Sequence, residues 1–160
     1  MRIHHVAVAL LCTLTGLDVW AADACALLKP DEIRAALGGE QGAFTASNVG
    51  ALAMCRGQSG RYAVLIRSAA SSKQTSTDAA KQGIEAMRKM GAQVDVKTEG
   101  DLTCMTLVAP AAAPQLGVNT TCTIARGGHL TGVEVTGPAG TPLAGMDVVR
   151  GLVEKAVGRL

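Results

Sequence analysis

The sequence has 160 residues, 48% of them hydrophobic and 18% charged, with a formal net charge of +2 and only three aromatic side chains, Trp20, Phe44 and Tyr62. The length fits one domain, the apolar content and small charge exclude a disordered chain, and no basic excess exists to neutralise a phosphate backbone, so nucleic acid is set aside as a partner. The aromatic shortage also removes the surfaces on which sugars, bases and flat cofactors stack, and no cofactor is expected.

Met1 to His5 form a short positive head, Val6 to Leu17 are predominantly apolar, and Val19-Trp20-Ala21 ends in a small residue. This is the pattern of a secretory signal peptide over residues 1–21, cut after Ala21 or, as a second site, after Ala24. The apolar run covers about 12 residues, short of the roughly 20 that a helix needs to cross a bilayer. No membrane span is therefore expected after cleavage, and residues 22–160 are expected as a single domain in the periplasm or outside the cell. Ala22-Asp23-Ala24 lacks the leucine that precedes a lipidated cysteine, so Cys25 is read as a thiol available for pairing.

Lys29 to Gly39 reads as a short helix, with Pro30, Asp31 and Glu32 at its start and a glycine pair at its end. Leu52–Arg56 and Arg61–Arg67 read as a hairpin turning through Gly57-Gln58-Ser59-Gly60. Alternation then puts Cys55, Tyr62, Val64 and Ile66 on one face and Met54, Arg56, Arg61, Ala63, Leu65 and Arg67 on the other. Polar residues 68–77 lead into a helix over Thr77–Met90, with Ala80, Ile84, Met87 and Gly91 at helical spacing. A strand is expected at Val94–Lys97, a hairpin from 102–108 and 119–125, and a turn at Arg126-Gly127-Gly128 into Leu130–Thr136. Thr141-Pro142 reads as an N-cap and first helical residue, followed by Met146, Val149, Val153, Ala156 and Leu160 at intervals of three and four. The order predicts an α+β domain: a mostly antiparallel sheet of about five to six strands, three helices packed on it, and two disulfides.

The disulfides follow from the cysteines that remain once Cys12 leaves with the signal peptide: Cys25, Cys55, Cys104 and Cys122. An oxidising compartment favours two bridges, and three connectivities are possible. Pairing the last hairpin about the middle of its loop sets Cys104 opposite Cys122, within bridging reach at a non-hydrogen-bonded position. Cys25 is left with Cys55. The loops of about 18 and 30 residues imply roughly 3 to 4 kcal/mol of stabilisation each. No two of these cysteines are close in sequence and His129 is the only imidazole beyond the leader, so no metal site is expected.

Cys25-Ala26-Leu27-Leu28-Lys29-Pro30-Asp31-Glu32-Ile33, continuing to Leu37-Gly38, resembles the opening of small exported bacterial domains and lipoproteins of unknown function. Cys55 falls where their second cysteine lies, and the closing Arg159-Leu160 is also similar. Lys29 stands where they carry a capping threonine, and Gly100-Asp101-Leu102 only partly matches their central glycine-aspartate-alanine segment. The resemblance implies export, an α+β fold and a Cys25–Cys55 bridge, and no activity.

Catalytic patterns are scarce. A serine or cysteine hydrolase needs a base beside its nucleophile, and only His129 is on offer. Asp95, Glu99, Asp101 and Glu134 are scattered over strand and turn ends, which does not suit paired-carboxylate chemistry. No glycine-rich phosphate loop opens a helix. Met54, Met87, Met90, Met105 and Met146 are read as core filler in place of aromatics rather than as copper ligands. One constellation points to binding. On the first hairpin, Met54 and Leu65 lie among Arg56, Arg61 and Arg67, the composition with which proteins recognise partners. The alternative is that a helix covers the apolar residues while the arginines reach solvent. The expected function is a non-catalytic binding or accessory protein of the cell envelope with a protein partner. A small-molecule carrier and a hydrolase using His129 with a nearby Ser or Thr are the alternatives.

Overall fold

A computed structural model describes residues 23–70 and 77–160. The expected signal peptide over 1–21 and most of the polar connection before Thr77 lie outside the described residues. The chain enters through a 3-10 turn at Ala24–Ala26, where the Asp23 carboxylate accepts the Cys25 N–H at 2.9 Å. α1 (Pro30–Leu37) follows, with Pro30, Asp31 and Glu32 in its first turn. Lys29 at the N-cap has no acceptor to offer. Glu32 instead reaches back and accepts the Lys29 N–H at 2.9 Å, the reverse half of a capping box.

Two meanders make the sheet. β1 (Thr45–Val49), β2 (Leu52–Ser59) and β3 (Tyr62–Ala70) form the first. After α2 (Thr77–Lys89) come β4 (Gln93–Glu99), β5 (Leu102–Val108), β6 (Val118–Arg126) and β7 (His129–Gly137), and α3 (Met146–Val157) closes the chain. All pairings are antiparallel in the order β1-β2-β3-β7-β6-β5-β4, so the meanders join where β3 meets β7. The hairpins close through Gly50-Ala51, Gly60-Arg61, Gly100-Asp101 and Gly127-Gly128, each with its first glycine at positive φ, as tight hairpin turns require.

The expected α+β class and both disulfides are present, and the sheet has seven strands rather than five or six. The additional strand is β1. The first hairpin turns at Gly60-Arg61, because Gly57 and Ser59 belong to β2. Phe44 lies over Gly57, where any Cβ would meet the ring at 2.5 Å, and the buried Ser59 hydroxyl donates to Gly38 O at 2.9 Å. Gly39, at φ 78°, packs so closely on Gly60 that a Cβ would sit 2.4 Å from its Cα. α3 begins after Gly145 rather than at Thr141-Pro142. The Tyr62 hydroxyl donates to Pro142 O at 2.9 Å and Thr120 Oγ1 to Ala144 O at 2.6 Å, which fastens residues 141–145 to the sheet as an extended strap.

α1 and α3 pack on one face of the sheet, here called inner. Ile33 of α1 and Val149, Leu152, Val153 and Ala156 of α3 close over Cys55, Val64, Ile66, Cys122, Ile124, Val133 and Val135, with Leu27 and Leu28 at one end. Full burial of each large aliphatic side chain contributes about 1.5–3 kcal/mol. Of the three expected helices, α1 and α3 lie over the inner face and α2 packs against the edge strand β4. Over residues 81–89, Ile84 and Met87 are half-buried and Lys81, Glu85, Arg88 and Lys89 face solvent. The methionines lie at the margin of the core, where Met146 packs against it. Met54, Met87, Met105 and Met146 are half-buried and Met90 is exposed, while aliphatic side chains and the two bridges occupy the interior. Among the described residues no helix is long and apolar enough to cross a membrane.

Candidate functional site

The cysteine pairing is the expected one. Cys104 and Cys122 are direct cross-strand partners on β5 and β6 with Cα atoms 4.1 Å apart, the short separation of a non-hydrogen-bonded pair. Cys25 bridges Cys55 with a Cα separation of 5.0 Å and ties the entering turn to β2. Cys55, Cys104 and Cys122 are buried among the inner-face side chains and Cys25 packs at their edge, so both bridges are structural.

On the opposite, outer face the first meander brings together Met54, Arg56, Leu65 and Arg67. Met54 pairs across the strands with Arg67, and Arg56 with Leu65. Arg67 leans over Gly132 of β7, which has no side chain to obstruct it, and reaches Glu134 at 3.7 Å. Arg56 is exposed and has no carboxylate partner among the described residues. No helix of the described residues covers Met54 and Leu65, which are half-exposed. Arg61 is separated from this group. With the turn at Gly60-Arg61 it stands at an open groove with Leu37, Gly38, Gly39 and Tyr62, near the C-terminal end of α1.

Of the four carboxylates weighed for catalysis, Asp95 is exposed and the other three are held by arginines. Glu99 accepts from Arg150 at 2.6 Å, Asp101 from Arg126 at 2.8 Å, and Glu134 pairs with Arg67. The hydrogen bonds from Arg126 also keep the Asp101 carboxyl below its ordinary range, so it stays an anion tied to its partner. Between β4, β5 and α3, a pocket lined by Lys97, Glu99, Cys104, Met146 and Arg150 has a volume of about 30 Å³. That holds water-sized molecules, whereas the open groove beside Arg61 has a volume of about 440 Å³.

One inner-face cluster escaped sequence reasoning. His129 opens β7, Thr131 follows on the same face, and Ser68 of β3 is the direct partner of Thr131. The Ser68 and Thr131 hydroxyls and His129 Nδ1 are buried without a hydrogen-bond partner among the described residues. Alternation could show that His129 and Thr131 share a face, but nothing local predicts that β3 pairs with β7. Ser68 and Thr131 are both 0% exposed, so a substrate cannot reach either hydroxyl from solvent. A hydroxyl nucleophile has to be open to the bond it attacks. No family model, curated protein or solved structure matches the chain.

Proposed function

We propose that the protein is exported, periplasmic or secreted, and acts as a non-catalytic binding or accessory protein that docks a protein partner on the outer face of its first meander. Export is supported by the leader-like residues 1–21, by the resemblance of the Cys25–Gly38 opening to exported bacterial domains, and by two disulfides of the kind that oxidising compartments sustain. The observation that carries the binding role is the uncovered patch of Met54, Arg56, Leu65 and Arg67, in which an unpaired guanidinium stands beside half-exposed apolar side chains. Arginine and methionine are enriched in recognition surfaces, and an exposed cation set against apolar area favours an acidic, partly apolar partner surface.

The test is affinity capture from the producing cell's envelope fraction with the parent protein, Arg56→Glu and His129→Ala side by side. A partner retained by the parent and by His129→Ala and lost with Arg56→Glu is the expected outcome. Identical capture by all three proteins overturns the assignment of the patch.

A further inference from the structure

The two edges of the sheet are built differently. β4 carries Asp95, Lys97 and Glu99 in alternation and has α2 packed against it, both of which discourage another strand from adding there. β1 is Thr-Ala-Ser-Asn-Val: every residue is exposed, none is charged, and none is proline. Its side chains are short, and Val49 remains 65% exposed. Nothing in β1 resists pairing.

The register also says which backbone groups are free. Val49 and Leu52 close a two-residue hairpin, so the pairs Val49–Leu52, Ser47–Met54 and Thr45–Arg56 exchange hydrogen bonds with β2. The N–H and C=O groups of Ala46 and Asn48 therefore point outward, two donors and two acceptors at the spacing of an antiparallel ladder. An identical β1 set antiparallel about Ser47 satisfies all four: Ala46 bonds Asn48 of the second copy and the reverse, with the two Ser47 residues facing each other on the axis. Thr45 then lies opposite the second copy's Val49, a pair of β-branched side chains that favours pairing. No charge on either strand opposes the contact.

We infer that β1 is a self-association edge, through which two copies of this chain form a twofold-symmetric dimer with one continuous sheet. The occupant is a second copy because β1 is complementary to itself in hydrogen bonding and side-chain size and carries no charge to oppose the contact. The axis is perpendicular to the sheet, so both outer faces look the same way and the two Arg56 patches share one surface. The edge is short, which makes this a concentration-dependent dimer rather than a permanent one.

Sedimentation equilibrium of the purified oxidised protein from micromolar to about 1 mM tests it, together with Ser47→Lys and Ser47→Asp. Each substitution sets like charges face to face on the axis, and each variant alone is expected to associate about tenfold more weakly than the parent or worse. An equimolar mixture of the two variants is expected to recover a mixed dimer. Amide exchange on the parent supplies a readout independent of the variants, with protection at Ala46 and Asn48 that rises with concentration. A parent that stays monomeric over the whole range overturns the inference, as does association unchanged by Ser47→Lys or exchange at Ala46 and Asn48 that ignores concentration.

Discussion

Ser68 and Thr131 face each other across β3 and β7 in the core, and each hydroxyl lacks a hydrogen-bond partner among the described residues. An unsatisfied buried hydroxyl costs about 1–3 kcal/mol, and an apolar replacement of similar shape removes that cost. Ser68→Ala combined with Thr131→Val is therefore expected to be at least as stable as the parent, by about 1 kcal/mol, in urea denaturation; a clear loss would mean that the hydroxyls are partnered in solution. At this scale the sequence was legible where alternation governs. Met54, Arg56, Leu65 and Arg67 share a face as their spacing demands, and Cys55, Val64 and Ile66 fill the other. Arg61 left the group because Gly57 and Ser59, turn formers by composition, are held in β2 by Phe44 and by Gly38 O. Both contacts come from residues far enough away that no local reading includes them.

Between elements, one side chain fastens the two covering helices. Arg159, just past α3, donates to both Glu32 carboxylate oxygens at 2.7 and 2.8 Å and to Leu27 O at 2.7 Å. The bonds from Arg159 to the carboxylate, with that from the Lys29 N–H, lower the Glu32 pKa from 4.5 to about 2. A carboxyl depressed on folding stabilises the native state fully above its unfolded pKa, and that contribution drains away as the pH falls from about 4.5 toward 2. Arg159→Gln should return Glu32 toward its ordinary range and move acid unfolding, followed by far-UV circular dichroism, to a higher pH. An unchanged midpoint would show that the clamp carries no stability. Elements with a buried face were readable: β5, β6 and β7 set Leu102 and Cys104, Cys122 and Ile124, and Val133 and Val135 two residues apart on the buried face. β1 was not, since an edge strand exposed on every side chain has no apolar alternation to display. The start of α3 was misplaced because Thr141-Pro142 has the composition of a cap, while the strap to Tyr62 and Thr120 decides where the helix begins.

Across the whole molecule, a chain with so few aromatics builds its interior from aliphatic side chains and staples it with Cys25–Cys55 and Cys104–Cys122. Phe44 and Tyr62 only pack at the rim of that core. Removing the first bridge as Cys25→Ser with Cys55→Ser should cost about 3–4 kcal/mol in chemical denaturation. A loss below about 1 kcal/mol would assign the stability to packing alone. The class and the bridges were readable because they rest on periodicity and cysteine spacing. The strand order was not, because the crossover between β3 and β4 leaves no local trace. That crossover divides the chain into two pieces that share one sheet and one core, each with its own meander, its own covering helix and its own internal bridge. A protease that cuts anywhere between Ala70 and Gln93 therefore severs the only covalent thread between them among the described residues. The nicked protein would migrate intact while native and fall into two cross-linked fragments in denaturant, with no reductant needed.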